Sequence, residues 1–598
     1  MGRITEEIIK RDGVKVEKGY LHAYGWTWKK ERAPTLLRMN LKAFQEGRTP
    51  KEGGLGKYGH YRNCVDLLWN EDHSRIKFDW HDWAVEMAQR ACEYPVLSVG
   101  GCASSGKTRG GAAWGMINWL ADPFNTMVLF TSTSLKDSRK RVWADVVELF
   151  NGVPGLPGKL LDATGMVRTV DPAGVRKASD RCGLALIAGE KKREKEAVGK
   201  MIGFKSERVF VVADELPELS EAIVQAYFSN LKKNPVSGLL GLGNPASFFD
   251  AFGVLSEPVN GWDSVTAEDH FWLTNDGAFL RFDGRRSPNI VAGYDKYPYL
   301  FKQSDFDADV KRFGANSAIV WRMSYAFFSP VAGDDAIYSG ADIIKYGARD
   351  KVTWREPPVA VAGLDPAFNG GDRCILAIGE YGTSVDGLKV LYIKKFITIT
   401  ADITLKDEPP NYQRARQCVE HCKKEGVSIN HFSMDTTGAG DPLADIITTM
   451  WARGMHRVCF SGGASELPIS NFDDTPANEK YCNRVSEIWF SGKDMIQTGQ
   501  LKGITTEMAR EMTSRTYEVQ KGSSARIKVE SKVDMKSRIG ESPDLSDAAF
   551  VMLDLCRQKL GMVSTAKAAN SGTANKSWKN IVKKYGMAAQ AGRSLVRS

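Results

Sequence analysis

No apolar run in this chain is long enough to cross a bilayer: the best candidate, Pro235–Phe249, is too short and is interrupted by Gly, Asn and Pro. Met1–Lys10 carries no apolar stretch of the kind a secretory leader needs, so export is not expected. Cysteine is sparse, with 10 in 598 residues, and none stands in C-x-x-C spacing, which excludes a disulfide scaffold and fits a reducing compartment. Cys418, His421 and Cys422 share a helix face but lack a second ligand pair, so core packing is the expected role rather than zinc. The 57 glycines follow no triplet period, which excludes a collagen-like chain. Acid is missing at one end: after Asp554 there is no Asp or Glu, but there are Arg557, Lys559, Lys567, Lys576, Lys579, Lys583, Lys584, Arg593 and Arg597. These nine account for the whole formal charge of +9, leaving 72 basic and 72 acidic residues before them. A neutral body with a cationic end differs from a uniformly basic nucleic-acid binder.

Apolar residues make up 42% and charged residues 26%, a globular composition long enough for several domains. Residues 1–75 are polar, Gly-rich around Lys51–Gly59, and read as an accessory region. From Phe78 short apolar runs alternate with helical stretches. Tyr94–Val99, Met127–Thr131, Leu184–Ala188, Val209–Ala213 and Leu239–Leu242 read as strands of a parallel sheet covered on both faces, with helices at Gly110–Leu120 and Lys136–Phe150. This predicts an α/β domain over 76–330. Ser329–Arg355, with Pro330, Gly333, Gly340 and Gly347, reads as a linker (331–355). A second α/β domain follows over 356–560. Its predicted strands are Ala360–Leu364, Cys374–Gly379, Val390–Phe396 and His431–Met434; its predicted helices are Asn411–Glu425, Asp441–Trp451, Asn478–Phe490 and Leu545–Arg557. Residues 561–598 read as a basic, disordered tail.

Two groups of residues carry chemistry. Gly101-Cys102-Ala103-Ser104-Ser105-Gly106-Lys107-Thr108 matches G-x-x-x-x-G-K-[ST] in full, after a predicted strand and before a predicted helix. In that setting backbone N–H groups cradle phosphate oxygens, Lys107 reaches the β- and γ-phosphates, and Thr108 ligates the ATP-bound Mg²⁺. The strand Val209–Ala213 ends in Asp214-Glu215, placing Asp214 to hold the Mg²⁺ shell and Glu215 to polarise water. A third strand ends in Gly243-Asn244-Pro245, where Asn244 either senses the γ-phosphate or simply forms an N-P turn. In the second region Asp365 and Asp435 end two strands, and Ser542-Pro543-Asp544-Leu545-Ser546-Asp547 opens a helix with Asp544 and Asp547 on one face. Converging carboxylates repel unless they hold cations, and two Mg²⁺ or Mn²⁺ ions there would serve phosphodiester cleavage. Helix-start and turn chemistry is the bland alternative for each acid alone. Leu501–Arg538 adds Arg510, Arg515, Lys521, Arg526, Lys528, Lys532, Lys536 and Arg538, of which Lys532–Arg538 lies where phosphate contacts would be useful.

Taken in order, these motifs resemble the large terminase subunit of tailed bacteriophages. The resemblance runs from about Phe78 to Arg557 and includes Gly363-Leu364-Asp365-Pro366, Met434-Asp435-Thr436-Thr437-Gly438 and Lys536-x-Arg538 leading into Asp544-x-x-Asp547. It implies an N-terminal P-loop ATPase and a C-terminal nuclease of RNase H-like fold. The implied activity is pumping concatemeric double-stranded DNA through a capsid portal and cutting it. The resemblance assigns Lys107, Thr108, Asp214, Glu215 and Asn244 to the ATPase, and Asp365, Asp435, Asp547 and nearby Asp544 to the nuclease metals. It implies ATP, Mg²⁺ or Mn²⁺, a portal protein, a small terminase subunit, a homo-oligomeric ring on the procapsid and the cytoplasm of an infected bacterium, with no membrane. A helicase–nuclease of repair or defence is the alternative. Two departures stand out: Cys102–Ser105 contains no Arg, and no adenine-reading Gln is evident near Phe78–Trp83. The transition-state Arg must come from elsewhere, with Arg139, Arg141, Arg281, Arg285 and Arg286 as unranked candidates. Deleting Gly561–Ser598 is expected to spare both turnovers while weakening docking to portal or DNA, measured by pull-down.

Overall fold

The computed structural model describes residues 32–132, 139–170, 181–189, 198–199, 201, 206–333, 335–367, 372–402, 404, 407–438, 440–520 and 526–565. The chain divides into two compact units, Met1–Ser329 and Pro330–Ser598.

The first unit is built on a nine-stranded sheet. Its strands are β1 (Val96–Gly101), β2 (Thr126–Ser132), β3 (Gly158–Leu161), β4 (Met166–Thr169), β5 (Gly183–Ala188), β6 (Arg208–Ala213), β7 (Val236–Gly243), β8 (Phe271–Leu273) and β9 (Ala278–Phe282), in the order β3-β4-β5-β2-β6-β7-β1-β9-β8. The run from β5 to β9 is parallel throughout. The sequence reading did not include β9, which pairs parallel with β1, nor the antiparallel β3 and β4 at one edge and β8 at the other. Every residue of β1, β2 and β6 is buried, as their continuous apolar runs require when helices cover both faces. The register Gly100↔Gly243 and Ala213↔Gly241 brings the ends of β1, β6 and β7 side by side.

The helix Lys107–Ala121 is buried on nearly all sides, consistent with its apolar composition all round. Part of its cover comes from residues that read as an accessory arm. Arg32–Glu46 and Gly56–Trp69 are helices, and Leu36, Leu41, Phe44, Tyr61 and Trp69 join Trp114, Met116 and Trp119 in one core cluster. Leu37, Leu41 and Phe44 follow a helical spacing that the polar, Gly-rich stretch after them hides, yet Gly56 and Gly59 themselves lie in the first turn of a helix. The helix expected over Lys136–Phe150 is observed as Val142–Asn151; residues 133–138 lie outside the described set.

The second unit has a six-stranded sheet: β10 (Val359–Asp365), β11 (Cys374–Thr383), β12 (Lys389–Ile399), β13 (Phe432–Asp435), β14 (His456–Val458) and the edge strand Leu501–Lys502. Their order is β14-β13-β10-β11-β12, then the edge strand. β10, β11 and β12 form an antiparallel meander, and β13 and β14 continue from β10 in parallel. This is the RNase H-like arrangement that the resemblance implies. The helix Asp544–Lys559 lies against the sheet at Gly363, where a Cβ would stand 2.4 Å from the Ala548 carbonyl oxygen. Ser433 Oγ donates to the Val551 and Ala362 carbonyls at 3.1 and 3.0 Å, fastening helix to sheet. Cys418 and Cys422 are buried in this unit's core cluster with Phe432 and Leu443.

The structure departs from the sequence-based expectation at three places. The segment read as a linker is packed into the second unit: Ile337, Ile343 and Ala348 are fully buried, and Tyr338 stacks on Phe550 at 6.2 Å. The helix expected over Asn478–Phe490 is two, Ala477–Lys480 and Arg484–Gln497, because Tyr481 and Asn483 are extended and Asn483 caps the second. The basic end is not uniformly a free tail either. Arg557 is buried and pairs with Glu487 at 2.8 Å, and Met562 and Ser564 are buried. Gln500 donates to the Val563 carbonyl at 2.9 Å and accepts from the Thr565 N–H at 2.8 Å. Residues 566–598 lie outside the described set. The deletion that isolates the remaining basic residues therefore begins at Ala566. A chain ending at Leu560 is expected to melt about 5 °C or more below one ending at Thr565, by calorimetry, because it loses the buried Met562 side chain.

Candidate functional sites

In the first unit β1 runs directly into the glycine-bounded loop, and Gly106 caps the helix that follows. Ser104 (φ 52°) and Gly106 (φ 76°) both take the left-handed conformation, which curls the loop around its own N–H groups. The loop is held from outside by three backbone bonds. Cys102 N–H donates to the Phe282 carbonyl (3.0 Å), Ala103 N–H to that of Met323 (2.9 Å), and Phe301 N–H to that of Ser104 (3.0 Å). Lys107 is buried, and among the described residues its Nζ makes only long hydrogen bonds, to the Cys102 carbonyl at 3.3 Å and to Ser105 Oγ at 3.4 Å. Burial lowers its pKa despite the nearby Glu215 and Asp214 carboxylates. A buried ammonium so weakly bonded is the electrostatic demand that a phosphate satisfies.

The tips of β6 and β7 close on this loop. Thr108 Oγ1 donates to Asp214 Oδ1 at 3.3 Å, while the buried Asp214 Oδ2 has no hydrogen-bond partner among the described residues. Burial, reinforced by Glu215, pushes the Asp214 carboxyl up to about 7. Glu215 sits at φ 54°, a conformation that costs a non-glycine residue about 1 kcal/mol or more, and its carboxylate meets Arg141 at 2.8 Å. Asn244 Nδ2 donates to the Gly101 carbonyl at 2.7 Å, tying the β7 tip to the start of the loop. The five candidate arginines separate clearly. Arg281 is buried and bonded to the Tyr325 and Asp269 carbonyls and to Asp283. Arg285 clasps Asp283 at 2.6 Å, Arg286 faces Glu268 at 3.5 Å, and Arg139 bonds the Ala163 carbonyl. Of the five, Arg141 alone touches a residue of this site.

In the second unit, Asp365 ends β10, Asp435 ends β13, and Asp544 and Asp547 occupy the first turn of the helix fastened to the sheet. All four are buried. Lys532, at the start of the helix Lys532–Ile539, reaches into them: its Nζ lies 2.6 Å from Asp365, 3.2 Å from Asp547 and 3.9 Å from Asp544. The sequence placed Lys532 only in an upstream basic stretch; its spacing from the acids gave no sign that it belongs among them. Its neighbours Lys536 and Arg538 are engaged with Asp372 and Glu530. Burial raises the Asp365 carboxyl well above the usual range, opposed by Lys532. Burial also lifts Asp435, against hydrogen bonds from Thr437 N–H (3.0 Å) and Oγ1 (2.6 Å).

Each acid is aimed by a fixed partner. Asp547 Oδ1 accepts from Trp489 Nε1 and from Arg515 Nη1, both at 2.9 Å, and the Arg515 guanidinium lies 4.4 Å over the Trp489 ring. Asp544 Oδ2 accepts from the Arg373 N–H at 3.0 Å. Neither Trp489 nor Arg515 stood out in the sequence as a support for an acid more than thirty positions away. The opposite oxygens, Asp544 Oδ1 and Asp547 Oδ2, are buried and accept no hydrogen bond among the described residues, although the Lys532 ammonium stands 3.9 and 3.2 Å from them. Among the described residues no three His, Cys, Asp or Glu side chains stand as a ready-made metal cage, and the Lys532 ammonium lies between the acids. The donor set itself, four buried carboxylates with Lys532 and Arg515 as their close cations, is of the hard-oxygen kind that Mg²⁺ and Mn²⁺ take.

Fold and sites together define a class: one chain carrying a P-loop nucleotide-type sheet and an RNase H-like unit with an acidic cluster. No protein-family model matches the chain, and no curated protein matches it. Among solved structures it is similar to the large terminase of the thermophilic bacteriophage D6E in complex with ADP (12% identity, TM-score 0.32), covering 80% of this chain and 100% of that one. It is similar also to the nuclease domain of the large terminase subunit gp2 of bacterial virus Sf6 (16% identity, TM-score 0.28), covering 36% of this chain and 98% of that one. A third is the large terminase ATPase domain of Thermus phage P74-26 (14% identity, TM-score 0.30), covering 42% and 94%.

Removing Arg515 would leave Asp547 buried with one of its two cationic partners gone, Lys532 at 3.2 Å being the other. Arg515→Ala is expected to destabilise the second unit by about 3 kcal/mol, measured by denaturant unfolding. Adding Asp547→Asn should restore much of that loss, since the orphaned charge disappears. If the double variant is no more stable than the single one, the Arg515–Asp547 pair is not what holds this helix start.

Proposed function

We propose that this chain is the motor and nuclease subunit of a viral genome-packaging machine. In this reading ATP hydrolysis in the first unit drives double-stranded DNA through a portal into a procapsid, and a metal-dependent endonuclease in the second unit cuts concatemeric DNA to begin and end packaging. The observation that carries it is the pairing, on one chain, of a phosphate loop whose Lys107, Thr108, Asp214 and Glu215 converge at strand tips with an acid cluster built on strand tips and a helix start.

The residues are assigned as follows. The N–H groups of Gly101, Ser104, Ser105 and Gly106 cradle the phosphates, and Lys107 answers the β- and γ-phosphate charge. Thr108 and Asp214 would hold Mg²⁺ with the nucleotide, and Asp365, Asp435, Asp544 and Asp547 would hold two Mg²⁺ or Mn²⁺ ions. Such cations supply charge neutralisation and a lowered water pKa. Glu215 orients the attacking water and accepts its proton, and Arg141, the one of the five candidate arginines held against Glu215, supplies the positive charge missing from the loop. Asn244, bonded to Gly101, links the loop to β7 and thereby couples hydrolysis to movement of that strand tip. Lys532 offsets the repulsion of the acids and is placed to meet a phosphate oxygen of DNA.

The partners in this reading are double-stranded DNA, a portal protein, a small terminase subunit and further copies of the chain in a ring on the procapsid. The setting is the cytoplasm of an infected bacterium. Among the described residues no helix is long and apolar enough to cross a membrane.

Glu215→Ala is expected to stop ATP hydrolysis while leaving Mn²⁺-dependent plasmid nicking intact, and Asp365→Ala to do the reverse. Retention of both activities in both variants would overturn the assignments, and unwinding of short duplexes by the isolated chain would favour a helicase–nuclease. A pH dependence follows from Asp214, raised to about 7 by burial and by Glu215. Below that value the folded protein holds the carboxyl neutral, and a neutral carboxyl serves a cation poorly. Affinity for ATP with Mg²⁺ is therefore expected to weaken as pH falls from about 8 to about 6, approaching tenfold per pH unit below the pKa. Calorimetric titration checks this, and a flat profile would contradict it.

A further inference from the structure

Glu511 is a carboxylate on the buried face of its helix. The helix Thr506–Ser514 turns Met508, Ala509 and Met512 inward, and Glu511, three positions after Met508, is buried with them. A carboxylate enclosed in this way is costly unless its oxygens are hydrogen-bonded. Four bonds hold it. Oε2 accepts from the Ser546 N–H at 2.8 Å and from Ser546 Oγ at 2.9 Å. Oε1 accepts from the Leu545 N–H at 3.4 Å and from Arg373 Nη2 at 3.2 Å. With two bonds on each oxygen, Glu511 has no lone pair left for a cation and is not itself a metal ligand.

What it serves instead is the start of the helix Asp544–Lys559. That helix begins at Pro543, which has no side-chain oxygen with which to cap it. A capping side chain ordinarily accepts from the second or third helical N–H. Here those donors belong to Leu545 and Ser546, and Glu511 takes both from another helix. The turn held in this way carries Asp544 and Asp547 at its two ends. Asp547 N–H closes it with a bond to the Pro543 carbonyl at 2.8 Å. Arg373 adds a second tie. It stands just before β11, at the end of the sheet where Asp365 pairs with Ile375. Its backbone N–H bonds Asp544 Oδ2 at 3.0 Å, and its Nε lies 3.7 Å from the same oxygen. The guanidinium is itself fixed, by Glu507 at 2.7 Å and by Glu511. Strand tip, acid-bearing turn and Glu511 are thus joined through one arginine.

We propose that Glu511 and Arg373 are positioning residues of the acid cluster. Glu511 fixes the turn that carries Asp544 and Asp547, Arg373 fixes Asp544 against it, and together they keep the acids arranged to take Mg²⁺ or Mn²⁺. The inference rests on the second unit holding such cations, and the test separates the two. Mn²⁺ binding is measured on the full chain without nucleotide, from the electron paramagnetic resonance signal of the free ion. The Mn²⁺ dependence of plasmid nicking is followed alongside, for Glu511→Gln and Arg373→Ala. These substitutions change charge in opposite directions. On charge alone Glu511→Gln would weaken Mn²⁺ binding, while Arg373→Ala, which removes a cation beside Asp544, would tighten it. Positioning predicts that both weaken it, by about tenfold or more, with nicking recovered at saturating Mn²⁺. Unchanged Mn²⁺ affinity in Glu511→Gln would mean that Glu511 only caps a helix, and tighter binding by Arg373→Ala would mean that Arg373 acts only by charge; either overturns the proposal. If Glu511→Gln does not fold, Arg373→Ala decides the matter alone, since that side chain is 41% exposed. Failure of the unaltered chain to bind Mn²⁺ or to nick DNA would overturn the nuclease reading along with it.

Discussion

Charge buried at the tips of strands must be compensated on the spot, and both units are arranged around that requirement. In the first, the Lys107 ammonium is enclosed with Asp214 and Glu215 nearby. In the second, Lys532 stands among Asp365, Asp544 and Asp547. Isolated charges so placed would each cost several kcal/mol, so neither group persists without its opposite or without ligands that take the opposite's place. The surroundings serve to hold these charges still. The left-handed turns at Ser104 and Gly106, the Asn244 bond to Gly101 and the Trp489–Arg515 stack against Asp547 all fix the orientation of a charged or phosphate-facing group.

The same requirement extends away from the sites. Glu487, Asp554, Arg484 and Arg557 form a buried network with pairs at 2.8 to 3.1 Å, joined by His456 at 2.9 Å. Arg557 is the first of the basic residues after Asp554, so the surplus of +9 is not wholly available to outside partners. One of those charges is spent on the fold of the second unit. The remaining excess cannot be read as a simple measure of nucleic-acid affinity.

Much of this was legible in the residues, for a specific reason. A parallel strand covered on both faces is written as an unbroken apolar run, and the first polar residue after it marks the tip. That is why Asp214, Asn244, Asp365 and Asp435 could be placed at strand ends from sequence. The antiparallel edge strands β3, β4 and β8 are short and partly exposed, so they leave no such run. The helices over 32–69 were missed because glycines near Lys51–Gly59 masked a helical spacing. Residues 331–355 looked like a linker because Gly333, Gly340 and Gly347 break up their apolar residues, and the packing that buries them, such as Tyr338 on Phe550, comes from far along the chain. Lys532, Trp489 and Arg515 were illegible as site residues for a related reason. Their roles are contacts across the fold, and nothing in their local sequence distinguishes them from other basic or aromatic residues.

The claim at the centre of this account is that the two units belong to one packaging engine rather than to two unrelated enzymes. The most direct measurement mixes the purified chain with portal-bearing procapsids, double-stranded DNA and ATP, then adds a nuclease and measures the DNA that remains protected. The account predicts protection that requires ATP and is lost with Glu215→Ala. ATP turnover without protected DNA, even with the small terminase subunit supplied, would contradict it.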